Sequence, residues 1–351
     1  MALVEKKVAV LIGAGMVAKT HVAACAAASA HLRLKGILSR GQERAELLAK
    51  QASESTQSHV ITYDDINQVA NDDEVDFVIM TTPPSVREEL IEPLAKAGKP
   101  ILLEKPIARN LKEATYLVEL CKKYGVTLGI VFQHRARASS VMASQIIKQG
   151  ELGDLGTLGT VDIDVPWWRD QDYYDEPGRG TYERDGGGVL INQAIHTIDL
   201  ALSLTGPVRS VVAMSKTSLL HNMESEDFVV AGVEFDNGVV GSMRASTASF
   251  PGRPESISLH FERATVHLER GQCVVSFRDG KVERFGEPAS TGGGADPMAF
   301  THTWHQSIIE NFVSVLSGDG QLFASGEQAL AAHALIEATV RSARNGTTQR
   351  L

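Results

Sequence analysis

Several things are scarce in this sequence. Its three cysteines, Cys25, Cys121 and Cys273, are far apart and odd in number, which excludes a disulfide framework and a cysteine-rich zinc site. They read as buried, reduced thiols. No stretch approaches the ~18 consecutive apolar residues of a membrane span. Near the N-terminus the apolar run at residues 8–12 is ended at once by Gly13, so it is too short for the core of a signal peptide, and a cytoplasmic location is expected. Positive charge is also in deficit: a net charge of −9 disfavours nucleic acid and anionic membrane as main partners. There is no internal repeat, and the one low-complexity piece, residues 290–295, reads as a mobile loop. What remains is ordinary globular composition, 43% apolar and 22% charged, in a chain whose 351 residues suit two domains.

The first part alternates regularly. Residues 7–12, 32–38, 59–62, 77–80, 101–103 and 127–132 read as short apolar strands, and the segments between most of them carry helical spacing. Leu111, Ala114, Leu117, Val118 and Cys121, for example, form one apolar face. This pattern predicts a doubly wound, parallel α/β sheet. After Gly150 the strands lengthen and become β-branched. Asp236-Asn237-Gly238 and Asp279-Gly280 sit between strand pairs and read as two-residue hairpin turns. The second part is therefore expected to be a mostly antiparallel, open-faced sheet with helices on one face, an α+β domain. The expected domains are 1–132 and 133–351, with a C-terminal helix able to pack back on the first. The uncovered sheet face predicts a homodimer or homotetramer.

Gly13-Ala14-Gly15-Met16-Val17-Ala18 directly follows the first strand and opens a helix. The first glycine permits the tight turn, the second lets backbone approach a pyrophosphate, and a small third residue allows helix–strand packing. The helix N-terminus offers N–H groups and positive potential to the diphosphate. In that strand–turn–helix context the pattern predicts NAD or NADP, with Gly13, Ala14, Gly15, Met16 and Val17 as contacts. The second strand ends in Leu38-Ser39-Arg40-Gly41 with no carboxylate to bind a ribose 2′-hydroxyl. Ser39 and Arg40 suit a 2′-phosphate instead, a slight lean to NADP.

Two further stretches are distinctive: Glu104-Lys105-Pro106 after the fifth strand, and Gly186-Gly187-Gly188 running on through Asn192, His196 and Asp199. With the glycine turn and Thr81-Thr82-Pro83, the chain resembles the glucose-fructose oxidoreductase / inositol dehydrogenase / rhizopine-catabolism (Gfo/Idh/MocA) family over nearly its whole length. The resemblance implies a Rossmann domain, an open-faced second domain, homo-oligomers and oxidation or reduction of sugars, polyols or their derivatives. It implies that Lys105 and His196 flank the nicotinamide and the reacting carbon. It adds Thr81, Thr82, Pro83, Glu104 and Lys105 to the cofactor contacts. Many members have aspartate where this chain has Asn192, which cannot take a proton but still hydrogen-bonds.

The residues themselves fit such chemistry. Asn192, His196 and Asp199 fall at i, i+4 and i+7, one stripe of an otherwise apolar helix. Lys105 lies past a parallel strand's carboxyl end, where doubly wound sheets bind ligands. His196 is the expected proton acceptor and Lys105 the stabiliser of the substrate oxygen, with Asn192 beside them. Asp199 is a candidate to fix the imidazole tautomer, against a plain packing role. Arg135, and Trp168, Arg169, Tyr174 and Tyr182 in a Gly/Asp-rich loop, are candidate substrate contacts, against a role as satellite core. His302 joins them. It lies three residues from His305, but without a carboxylate or cysteine nearby no metal is read there. Two alternatives share the fold: a glycosidase using NAD in transient oxidation and elimination, and a non-catalytic dinucleotide sensor.

Overall fold

The computed structural model describes residues 6–289 and 300–351; the glycine-rich piece at 290–295 lies outside the described residues. The chain divides into two compact units. One takes in the chain up to Ala108 with Lys112–Gln133 and His302–Ala329; the other comprises Arg109–Leu111, His134–Thr301 and Leu330–Leu351.

The first unit is built on β1 (Lys7–Ile12), α1 (Ala18–Ala27), β2 (Leu32–Leu38), α2 (Gln42–Thr56), β3 (Ile61–Tyr63), α3 (Ile66–Ala70), β4 (Phe77–Met80), α4 (Arg87–Lys96), β5 (Ile101–Glu104), α5 (Leu111–Lys123) and β6 (Leu128–Val131). The sheet order is β3-β2-β1-β4-β5-β6, all parallel, which is the doubly wound dinucleotide-binding order. The central strands β4, β5 and β6 are buried at every residue, so their sequences show no alternation. Helix α2 runs on to Thr56, its Ser53, Ser55 and Thr56 hydroxyls bonding back to the carbonyls of Ala49, Gln51 and Ala52, and ends at Gln57, which has positive φ.

The second unit contains α6 (Ala138–Gln149), β7 (Leu158–Pro166), α7 (Gln171–Asp175), α8 (Ile195–Thr205), β8 (Val208–Lys216), β9 (Phe228–Phe235), β10 (Val240–Ser246), β11 (Ser256–Phe261), β12 (Ala264–Glu269), β13 (Gln272–Phe277) and β14 (Val282–Phe285). After α9 (Thr303–Leu316), which belongs to the first unit, it resumes in α10 (Gly326–Asn345) and β15 (Gln349–Arg350). Its nine-stranded sheet has the order β14-β13-β12-β11-β7-β10-β9-β8-β15, antiparallel except for β7 beside β10. Helix α6 packs on β12 and β13, and α8 on β7 and β11.

The expected two-residue hairpin turns need correction. Phe235 pairs with Val239 and Phe277 with Lys281, so both loops hold three residues. Only Gly238 and Gly280 take positive φ, which is the turn-plus-bulge connection. The two-residue turn is Arg270-Gly271, between β12 and β13, with both φ positive. The cysteines are all buried, and burial pushes Cys121 up to about 11 and Cys25 and Cys273 to about 12, so these thiols are poor nucleophiles. Among the described residues no helix is long and apolar enough to cross a membrane.

Helix α9 closes the first unit through Phe312, which is fully buried, 5.4 Å from the ring of Phe77, and so close to β6 that a Cβ on Gly129 would come within 2.8 Å of it. Phe312→Ala is expected to cost about 3–5 kcal/mol of stability, read from the midpoint of urea unfolding at unchanged slope.

Candidate functional site

In the first unit the glycine turn forms at the carboxyl end of β1. Gly13 has φ +110°, and a Cβ there would lie 2.6 Å from Thr81 Oγ1. Thr81 Oγ1 in turn donates to the carbonyls of Ile12 (3.2 Å) and Gly13 (3.1 Å), so the Thr-Thr-Pro segment braces the turn. Around Gly15, by contrast, a Cβ would meet nothing within 4 Å. No side chain caps α1, Ala18 is fully buried, and Thr82 Oγ1 is buried without a hydrogen-bond partner. An open backbone cradle, an uncapped helix end and an orphaned hydroxyl together fit a dinucleotide diphosphate. At the end of β2, Ser39 is half-buried and Arg40 exposed. Arg44 folds back over the same loop, its Nε 2.8 Å from where a Cβ of Gly41 would be. Arg44 lies inside α2 and belongs to no strand-end motif.

The Glu104-Lys105-Pro106 loop is fixed from two sides. The buried Glu104 carboxylate accepts a 2.8 Å hydrogen bond from His21 Nε2 and a 3.2 Å bond from the Lys105 N–H, and His305 Nε2 lies 3.5 Å away. Burial alone would raise the carboxyl's pKa, but the two imidazoles outweigh it and hold Glu104 well below the usual range. Burial also lowers the pKa of His305. On the other side, the fully buried Arg87 donates to the carbonyls of Thr82, Pro106 and Ile107. The Lys105–Pro106 bond is cis. Neither His21 nor Arg87 belongs to any motif, and only the fold brings them to this loop.

The carboxylate thought to be missing beside His305 is therefore present. The donor atoms of His21, Glu104 and His305 lie within 4.8 Å of one another, a set able in principle to hold a metal. A 2.8 Å His21–Glu104 contact is nevertheless shorter than the edge of about 3.3 Å between two ligands of a tetrahedral zinc. His21 Nδ1 also lacks the outer hydrogen bond that normally orients a metal-ligating imidazole. The group is a hydrogen-bonded anchor. His302, half-buried, stands at the N-cap of α9.

In the second unit, α8 is preceded by a π-helical turn at Leu190–Ala194. Asn192 lies in that turn and His196 in the α-helix, so the expected i, i+4, i+7 stripe is broken by the wider winding. Asn192 Nδ2 donates to the carbonyls of Gly187 (2.7 Å) and Gly188 (3.1 Å), tying the turn to the glycine run. Asp199 does not orient His196. It is buried and forms a bidentate pair with Arg135, both bonds 2.7 Å. Burial raises the carboxyl's pKa against the pull of that guanidinium. Arg135, expected at the substrate, is thereby engaged inside its own unit. The ring that meets His196 is His134, with centroids 5.0 Å apart and planes 28° apart.

The aromatic loop divides. Arg169 is buried, bonded to the Trp168 carbonyl and packed over Trp167 and Tyr173. Tyr174 is buried with its hydroxyl 2.5 Å from Thr247 Oγ1 and its ring against His221, which pairs with Asp227. Both side chains, expected at the substrate, hold the loop together from inside. Trp168, edge-on to the exposed Phe250, and Tyr182, under the Arg344 guanidinium, remain partly open.

The Glu104 anchor makes stability depend on pH. Glu104 has a depressed folded-state pKa, so its contribution is present above the unfolded value of 4.5 and is lost as pH falls through the folded one. His305 is also depressed, so its protonation opposes folding once pH drops below 6.5. Both terms weaken the fold in acid. Glu104→Gln is expected to cost about 1–3 kcal/mol at pH 8, a difference from wild type that shrinks below pH ~4.5 in urea unfolding at each pH.

The architecture and these clusters have known counterparts. Residues 7–132 match the model of the oxidoreductase family with an NAD-binding Rossmann fold, and residues 141–272 that of the GFO/IDH/MocA C-terminal domain. The chain is 26% identical over 254 residues to the uncharacterized oxidoreductase YrbE of Bacillus subtilis, covering 70% of this chain and 69% of that one. It is 24% identical over 342 residues to the inositol 2-dehydrogenase of Rhizobium meliloti, covering 95% of each. The WlbA dehydrogenase of Bordetella pertussis, solved with NADH and UDP-GlcNAcA, superposes with a TM-score of 0.80 at 28% identity over 99% of both chains. The chain belongs to the Gfo/Idh/MocA family and is an NAD-binding oxidoreductase acting on CH–OH groups.

Proposed function

We propose that this enzyme moves a hydride between a nicotinamide cofactor and a secondary alcohol or ketone of a sugar, polyol or sugar derivative. The observation that carries the reading is the locked loop at the end of β5, with Lys105 between a triply contacted carboxylate and a proline whose carbonyl is braced by Arg87. Such pre-organisation suits a residue that must stabilise charge at a fixed point. The relative named for inositol and the neighbour holding a nucleotide sugar support a polyhydroxy substrate.

When bound, the nicotinamide supplies the hydride acceptor. The turn from Gly13 to Val17 and the end of α1 hold the diphosphate. Lys105 donates to the substrate oxygen and stabilises its developing negative charge. His196 takes the hydroxyl proton in oxidation and returns it in reduction. Asn192 is not a proton carrier; its amide holds the glycine run in place. Trp168 and Tyr182 offer faces for sugar C–H surfaces. Ser39 and Arg40, with Arg44, suit the 2′-phosphate of NADP.

A panel of sugars, inositols, anhydro-sugars and aldonates, followed by nicotinamide absorbance with both cofactors, tests the reading. Net cofactor turnover with at least one class is expected, with the higher kcat/KM for NADP. Lys105→Ala and His196→Ala should each lower kcat by about 10²–10⁴-fold; near-normal turnover in either would refute its role. Substrate cleavage with cofactor retained would point to the glycosidase chemistry instead.

The reading includes a homo-oligomer formed through the second unit's sheet. Val212, Met214, Val230 and Val240 are 51%, 53%, 39% and 53% exposed. The register puts them on one face, since Met214 pairs with Val230 and Val212 with Gly232, itself opposite Ser242. A row of apolar residues on an open sheet calls for a cover. Light scattering should give a dimer or tetramer, and Met214→Arg should shift it toward monomer.

A further inference from the structure

Taking His196 as the proton acceptor, we infer that His134, held against Glu255, is a positioning residue that fixes the His196 ring and couples its protonation to a second ionisable site. His134 is 2% exposed and packs nearly parallel to His196. Rings so arranged do not aim their N–H groups at each other, so the contact is a stack and not a proton relay. The far edge of His134 faces a carboxylate: its Nε2 is 3.7 Å from Glu255 Oε1. Glu255 is itself 3% exposed and clamped, with Oε1 accepting from Arg137 Nη1 at 2.7 Å and Oε2 from Trp167 Nε1 at 3.2 Å. All these residues lie in the second unit.

The consequence is electrostatic. A carboxylate beside His134 favours the imidazolium there, and a cation stacked on His196 disfavours a second one. His196 is thereby kept neutral, the form that accepts a proton. The surrounding charges do not cancel this arrangement. Arg137, bonded to the same Glu255 oxygen, offsets part of that carboxylate's pull on His134, and the Arg135–Asp199 pair is internally neutral. Glu269 lines the same small cavity as His134, Thr197 and Glu255 but is exposed to solvent, so its charge is screened. The buried Thr197 Oγ1 has no hydrogen-bond partner, so the cavity wall beside His134 is polar.

His134→Phe keeps a flat ring in the stack but removes its charge. The acid limb of kcat/KM should then move up by about one pH unit, while activity above that limb is largely kept. His134→Ala removes stack and charge together and should lower kcat across the whole pH range with little change in KM. Imidazole ¹⁵N titration of the cofactor-free enzyme, with the His196 signals assigned by His196→Gln, reads the coupling without turnover. An upward shift of the His196 midpoint in His134→Phe, and in Glu255→Gln should His134→Phe not fold, supports the inference. An unmoved midpoint overturns it. Full turnover by His196→Gln refutes instead the acid–base reading on which it rests.

Discussion

The structure of the first unit turns on a single buried carboxylate. Removing Glu104 from water costs several kcal/mol, and only directed hydrogen bonds recover it. They come from three places far apart in the chain: His21 in α1, the N–H of Lys105, and the α9 neighbour His305. One side chain thus ties the first helix of the Rossmann unit and a helix from late in the sequence to the tip of β5. The same tie determines where the Lys105 backbone runs. Arg87 is the complementary constraint, a buried cation neutralised by no direct ion pair among the described bonds but satisfied by carbonyls of two loops. The loop is held by an anion inside it and a cation outside it.

Much of the fold was legible in the sequence because it rests on local patterns. Short, fully apolar tetrads bounded by turn residues, such as Phe77–Met80, suit central strands of a covered sheet, and β2 spans the expected residues 32–38. Glycine in a hairpin signalled a turn correctly but not its length, because Asn237 and Asp279 suit either a two-residue or a three-residue loop. Which one forms is decided by the strand register on both sides. The π turn was illegible for a similar reason. One extra residue of winding leaves composition unchanged, and it shows only in the backbone at Leu190–Ala194.

The candidate catalytic residues were nameable from motifs, but their partners were not. Sequence spacing paired His196 with Asp199, three residues on, whereas the fold pairs Asp199 with Arg135 and His196 with His134. Both true partners lie in one tripeptide after β6, more than sixty residues upstream. No periodicity links segments so distant. Burial decided the arginines in the same way: of the two expected at the substrate, Arg135 pairs with a buried carboxylate and Arg169 packs among aromatics. The sequence shows which charges exist, while desolvation decides which must be paired.

That rule also explains why the negative surface and the anion-binding turn coexist. A chain of net charge −9 repels a diphosphate at long range, but screening removes most of that beyond about 10 Å. Within that distance the field at the turn comes from the uncapped N-terminus of α1 and the backbone N–H groups leading into it. The second strand's end adds Arg40 and Arg44, both on the solvent side of their loop. They stay available because exposed guanidinium groups incur no desolvation cost and so need no carboxylate beside them. The buried Arg87, Arg137 and Arg169 are held by carbonyls, carboxylates and rings, whereas Arg40 and Arg44 keep their hydration.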